Sequence, residues 1–564
     1  MTINLRWQLL LAIVGLGLVL ALLSFQVQSA GFCSVRVPAT GGVFIEGIVG
    51  APQSLNPLLQ DGFPVDQELV DLLFDGLTRY DADGVLTPVL AESWSVSDDG
   101  LSVTFRLRDD AFWHDGQRVT VADVLFTFGL LQDEAFPGSP ALAQLWQEVT
   151  ISEVAEDEWA VRFTLPTPYS PFLEATTQPL LPAHLLADVP VADLATADFN
   201  LAPVGTGPFQ VDGSVNWREN GRLRLVPNPL DWRGGIQIAA IEFHFFPDEE
   251  RLLEAFLAGN VQAINRVNQT TMPTVAAIPD IRLFSAPLPT YSALWFNLRE
   301  TAVALTRSAS GRQALAAALN REELVSVAMN GQGLVFDGPY VPGNWAYNPG
   351  IFAARAFDPG TAVTLLETAG WTLGEGQTVR QREGQPLRLR LIALDTPTAQ
   401  AVSDTIATPW AEVGVATEIT LVTDGAELRQ LLADGAYDVA LLSFTPPGDP
   451  DLYDFWSQEA IVRGQNFTGW NSRRASEALE QGRQIWGMAE RRPLYDTFLR
   501  FFDQDLPAFT LYQDVYTYAL SPAVHQAEIG LISRPRDRYK TLADWFLLFR
   551  DVTVACPPEE LPAN

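Results

Sequence analysis

Apolar residues along this chain switch between two spacings, and the switches outline its elements. Val43-Phe44-Ile45-Glu46-Gly47-Ile48-Val49-Gly50 predicts a strand, closed by Ala51-Pro52. Leu69, Leu72, Leu73 and Leu77 recur at intervals of three and four, which predicts a helix over Val65–Leu77. Leu101, Val103, Phe105 and Leu107 then alternate with Ser102, Thr104, Arg106 and Arg108. The Asp98-Asp99-Gly100 turn after Trp94-Ser95-Val96-Ser97 makes this a hairpin. Thr120 is placed to cap a helix from Val121 to about Leu131. Val149–Val154 and Trp159–Leu165 predict a second hairpin.

From Gly205 short strands run to about Phe246, and Pro247-Asp248 opens a helix from Glu249 to Ala258 that stops at Gly259. Ala293–Leu298 begins a second half. There, helices over 311–329, 360–369 and 399–413 alternate with strands over 387–393, 416–422 and 438–443. Strand–helix alternation is the mark of an α/β lobe. At 564 residues the chain exceeds one ordinary core, so two or three packed lobes are expected. There is no fixed-period repeat and no low-complexity tether, so strand crossovers must join the lobes.

A net charge of −32 excludes a nucleic-acid binder, which needs a basic stripe. It suits an exported protein and names no ligand. At the N-terminus, Arg6 leads an uncharged run from Leu9 to Phe25, followed by Ser29-Ala30-Gly31. Residues 1–30 therefore read as a secretory signal or as a retained membrane anchor. The two cysteines, Cys33 and Cys556, flank the folded part. In an oxidising compartment they form a disulfide or remain unrelated terminal thiols. Enzymatic chemistry finds no purchase. His114, His184, His244 and His525 lack metal-ligand spacing, and no nucleophile elbow or dinucleotide fingerprint occurs. Gly205-Thr206-Gly207 is too short a glycine turn for a nucleotide site. The expectation is a protein without catalytic residues, metal or cofactor.

An ordered series of motifs resembles the bacterial solute-binding proteins for dipeptides, oligopeptides and nickel, family 5 of the ABC-transporter extracellular solute-binding proteins. It runs Ser54-Leu55-Asn56-Pro57, Phe74-Asp75-Gly76-Leu77, Pro88 to Trp94, Ser97 to Gly100, Trp113-His114-Asp115-Gly116 and Thr120 to Val124. It continues through Gly205-Thr206-Gly207-Pro208-Phe209, Asn228 to Trp232, Leu319-Asn320-Arg321, Ala369-Gly370-Trp371, Asn466 to Asn471 and Arg491-Arg492. The resemblance covers about residues 42–550.

It implies a two-lobed α/β periplasmic-binding-protein fold of type II, with an extra subdomain inserted in the first lobe and the ligand in the cleft. The expected division is 42–65, 200–290 and 508–550 for lobe I, 66–199 for the insert, 291–507 for lobe II and 551–564 for a tail. Both chain ends then fall in lobe I, which favours the Cys33–Cys556 bridge. The implied partners are a peptide or other small solute and an ABC permease with its ATPase. The protein would be a periplasmic or cell-surface monomer, held by the membrane where residues 9–25 are kept. A tethered sensor or adhesion module using the same closure is the alternative.

Cleft candidates come from strand ends. Gln53 follows the first strand, Trp295 and Asn297 lie in the first strand of the second half, and Phe444 and Thr445 through Asp449 and Asp451 follow a strand's carboxyl end. Aromatics clamp a flexible solute, and carboxylates and amides fix its polar groups. Peptide-binding members carry an Asp three residues before an acid-Pro pair, to meet the ligand's free amino terminus. Here the pair is Asp449-Pro450 and that third residue is Pro446, which offers neither charge nor donor.

Overall fold

The computed structural model describes residues 32–60, 64–81, 84–213, 217–529, 532 and 534–555, with residues 7, 10 and 12–21 near the N-terminus. One eleven-stranded mixed sheet runs through the described molecule. Its order is Ala416–Val422, Arg388–Leu394, Val439–Phe444, Arg282–Phe296, Ala508–Leu520, Ala263–Ile264, Val43–Val49, Ala240–Phe246, Arg222–Pro227 and Phe209–Val211, with Gly333–Leu334 added on Ala508–Leu520. Two long antiparallel neighbours, Arg282–Phe296 and Ala508–Leu520, cross from one half to the other.

The crossing strand is much longer than its alternation predicts. Pro287 and Pro289 argue against a strand, since neither can donate to a ladder. The ladder does break there: pairing with Ala508–Leu520 shifts register between Pro287 and Tyr291. Arg282–Pro287 pairs with Leu520–Val515, and Tyr291–Trp295 with Gln513–Ala508.

Apolar burial divides at the same place. One cluster joins Phe44, Leu73, Phe105, Phe163, Leu223, Tyr516 and Trp545. Two others flank the second half of the sheet, one around Leu294, Leu389 and Trp410, the other around Trp295, Trp456 and Phe502. The segment 66–199 carries its own four-stranded antiparallel sheet, in the order Ala91–Val96, Ser102–Leu107, Asp157–Thr164, Thr150–Val154. Gly100, at φ +70°, makes the hairpin turn, and Asp99 Oδ1 accepts from Leu101 N–H at 3.0 Å.

Two helices differ from their periodicity. The first spans Pro64–Leu73 and stops four residues before Leu77. Its last turn is met by the Gly205-Thr206-Gly207 turn, whose Gly207 N–H donates to Leu73 O at 2.9 Å. A Cβ at Gly205 would lie 1.8 Å from Leu73 O, so only glycine fits. Thr206 Oγ1 accepts from Asp75 N–H at 3.0 Å, and Arg233 pairs with Asp75 at 2.8 Å. The glycine motif therefore closes a helix end. The run 311–329 is two helices, Ala309–Ala317 and Arg321–Ala328, split where Asn320 caps the second by accepting from Glu323 N–H at 3.2 Å.

The first and last described strands pair in a separate two-stranded ribbon, Phe32–Ala39 antiparallel to Leu548–Ala555, with Phe32 opposite Ala555 and Cys33 opposite Val554. The side chain of Cys33 and all of Cys556 lie outside the described residues, so the expected bridge does too.

Candidate functional site: a loop clasped between the two halves

The loop after strand Val439–Phe444 is one place where the two halves touch. Strand and loop are anchored by aromatic packing: Phe444 meets Tyr291 and Phe455 edge-on at 5.5 and 4.7 Å. Beyond it, Thr445 is exposed and its hydroxyl lies 2.6 Å from that of Thr290, while Ser443 and Ser292 hydroxyls pair at 3.2 Å. These cross-strand pairs place uncharged donors and acceptors beside the crossover.

Asp449 and Asp451 were expected among the cleft residues, and in the structure both carboxylates are paired with arginines. Asp449 is held bidentately by Arg491, with Nη1–Oδ2 at 2.7 Å and Nη2–Oδ1 at 2.5 Å. Asp451 Oδ2 accepts from Arg483 Nε at 3.0 Å and Nη2 at 2.6 Å. Arg491 also donates to Tyr495 Oη and Gly482 O, and Arg483 lies over the Tyr453 and Tyr169 rings. Burial works against both guanidinium charges, but the paired carboxylates overcome it and hold both above the ordinary arginine value. The acids therefore brace the loop.

The opposite face of the contact comes from segment 66–199. Glu174, on the short helix Phe172–Ala175, accepts from two consecutive backbone N–H groups, Gly448 and Asp449, each at 2.9 Å. Burial pushes the Glu174 carboxyl up, and these two bonds only partly offset that. Ser170 donates through both N–H and hydroxyl to Arg483 O, at 2.8 and 3.2 Å. Trp486 Nε1 donates to Gly100 O at 3.2 Å. Tyr80 packs so close that a Cβ on Gly448 would lie 2.7 Å from its hydroxyl. Burial and the nearby Glu174 and Asp449 charges keep that phenol protonated. Beside Glu174 a pocket of about 280 Å³ is lined by Leu142, Leu145, Trp146, Thr177 and Gln178.

The remaining candidates lie elsewhere. Trp295 is buried and stacks on Trp456 at 4.6 Å, within the core of the second half. Asn297 is fully buried. It donates to Tyr437 O and Gly435 O at 2.8 and 3.1 Å and accepts from Arg299 N–H at 2.9 Å. Its hydrogen bonds stitch a strand end to a neighbouring turn. Gln53 is exposed, with its carbonyl accepting from Arg218 Nη2 at 2.7 Å and its N–H donating to Asp66 at 2.8 Å. Sequence reasoning missed Glu174, Ser170, Arg483 and Tyr80. Arg491 carried a signal, the Arg491-Arg492 motif, without its role. Among the described residues no cluster of ligating side chains suits a metal.

A continuous sheet crossing between two α/β halves, with a loop gripped from the far side, defines a two-lobed α/β periplasmic-binding-protein fold. The sequence model of the bacterial extracellular solute-binding proteins, family 5 (middle), matches residues 85–461, and the chain belongs to that family. As a member of that family it is a solute-binding protein. The chain is 24% identical over 505 residues to the oligopeptide-binding protein AppA of Bacillus subtilis, covering 88% of this chain and 89% of that one. It is 28% identical over 432 residues to the nickel-binding periplasmic protein of Escherichia coli, covering 73% and 79%. The substrate-binding protein CtaP of Listeria monocytogenes has a similar structure, with a TM-score of 0.76 at 22% identity, covering 90% of this chain and 99% of that one.

Proposed function

We propose that this protein is the capture subunit of an ABC importer and closes its lobes over a peptide-like or other oligomeric solute that lacks a free α-amine. It works outside the cytoplasm as a monomer, and a permease with its ATPase receives the closed form. Lobe I is taken as 42–65, 200–290 and 508–550, the insert as 66–199 and lobe II as 291–507. The division of apolar clusters near residues 288–291 supports this arrangement. Closure is favoured by whatever contacts both lobes, and a solute adds to those contacts.

The observation that carries the ligand reading is the neutralised acid loop. Pro446 stands where a carboxylate would meet an ammonium, and Asp449 and Asp451 already serve Arg491 and Arg483. Moving Asp449 to a ligand would strand the buried Arg491 guanidinium, at a cost of several kcal/mol, and moving Asp451 would take the nearest carboxylate from the partly buried Arg483. The hydroxyls of Thr290, Thr445, Ser292 and Ser443 suit neutral polar groups instead. An oligosaccharide, an amine-blocked peptide or a metal chelate fits this chemistry. Mass spectrometry of co-purified solute, followed by calorimetric titration with a dipeptide library, tests it. Free-amine dipeptides are expected to give no heat of binding at micromolar concentrations. Micromolar affinity for several of them overturns the ligand reading while leaving the capture role intact.

A further inference from the structure

The ribbon formed by the first and last described strands has an unpartnered apolar face. In its register Val35 opposes Val552, Ala39 opposes Leu548, and Val37 opposes Arg550. Directly opposed residues share a face, and so do residues two apart along a strand. One face therefore carries Val35, Val37, Ala39, Leu548, Val552 and Val554, with Arg550 as its one charged residue. The other carries Ser34, Thr553, the Arg36–Asp551 ion pair at 3.7 Å, and Pro38 opposite Phe549, whose ring lies under the Arg36 guanidinium. Val35 is 42% exposed, Leu548 46% and Val554 37%. A two-stranded ribbon with an uncovered apolar face is marginal in water.

Chain continuity says what covers it. The uncharged run Leu9–Phe25 includes helical residues 12–21, whose Ile13, Leu16 and Leu20 are exposed. Only residues 26–31 separate that run from Phe32, and six residues reach at most about 20 Å. Charge points the same way. The chain carries −32, but the ribbon holds Arg36 and Arg550 against Asp551, two positive charges and one negative. The ribbon is thus a strip that an anionic leaflet does not repel.

We propose that the apolar face of this ribbon lies on the outer surface of the membrane in which residues 9–25 are held. This rests on the anchor reading of the N-terminus and extends it: the contact fixes the height and tilt of lobe I above the bilayer.

The test uses the full chain in vesicles of phosphatidylcholine and phosphatidylglycerol, with Cys33→Ser and Cys556→Ser as background. A nitroxide is placed at Val35→Cys or Ser34→Cys, and on the second strand at Val554→Cys or Thr553→Cys. Melting curves confirm that each variant folds, and two independent pairs guard against loss of one. Labels at 35 and 554 are expected to be shielded from a water-soluble nickel relaxant and reached by oxygen, with the opposite at 34 and 553. Protein that stays with the vesicles while all four labels meet nickel equally overturns the surface and leaves the anchor standing. Protein left in the supernatant overturns both. Spin–spin broadening at 35 and 554 assigns the face to a second copy, and the lipid assignment falls.

Discussion

Asp449 shows how far a single residue can be read from its neighbours in sequence. The Asp449-Pro450 pair marks the loop, but its charge is settled by Arg491, forty-two positions on, and that pairing exists only in the fold. Glu174 carries no pattern at all, lying in Phe172-Leu173-Glu174-Ala175, and only tertiary contact makes it an acceptor for the loop. Because Arg491 is buried, Asp449→Asn is expected to lower unfolding free energy by about 3–5 kcal/mol, measured by chemical denaturation. Adding Arg491→Met should recover part of that loss, since no stranded charge remains. Asp514 provides a second measurement. It lies on the crossing strand Ala508–Leu520, and burial pushes it up to about 6, with Arg266 opposing in part. A raised carboxyl favours the folded state while protonated. Its contribution is full below the ordinary value of 3.8 and is lost as pH rises through about 6. Between pH 4 and 7.5 the wild type should lose about 2 kcal/mol relative to Asp514→Asn.

At the scale of elements, alternation and periodicity carry most of the architecture. The strands Val43–Val49, Arg388–Leu394, Ala416–Val422 and Val439–Phe444 and the helices Pro359–Thr368 and Pro397–Glu412 lie where the pattern puts them, within two residues. The misses have physical causes. Two prolines hide the first half of strand Arg282–Phe296, and the end of helix Pro64–Leu73 is decided by the distant Gly205 turn. That contact is testable. Gly205→Ala must displace Leu73 O and is expected to cost at least about 3 kcal/mol, whereas Gly213→Ala, with nothing within 4 Å, should be near neutral. The ribbon bears on the cysteines, since its register puts Ala555, the residue before Cys556, opposite Phe32. A bridge from Cys33 to Cys556 would restrain the unfolded chain by on the order of 5 kcal/mol. Thiol labelling of the unfolded, unreduced exported protein should then find no reactive cysteine; two reactive thiols would rule the bridge out.

For the whole molecule, the polar bridges between segment 66–199 and residues 448–486 use only the protein's own groups. Glu174 holds two N–H groups, Ser170 holds Arg483 O, and Trp486 holds Gly100 O. A closed state with contacts of its own needs less from the solute, because apparent affinity scales with the population already competent to bind. Hydrogen bonds to a charged acceptor contribute about 1.5–3 kcal/mol each where they are desolvated. Solvation of Glu174 in the open state reduces the net, so about 1.4 kcal/mol is a reasonable total, equivalent to tenfold in the closing equilibrium. Glu174→Ala should therefore weaken solute binding about tenfold, mainly through faster release, and should enlarge the radius of gyration of the solute-free protein in X-ray scattering. Ser170→Ala removes one bond of the two to Arg483 O and should have a smaller effect in the same direction. If Glu174→Ala leaves both the release rate and the radius unchanged, closure depends on the solute alone and the Glu174 contact merely follows it.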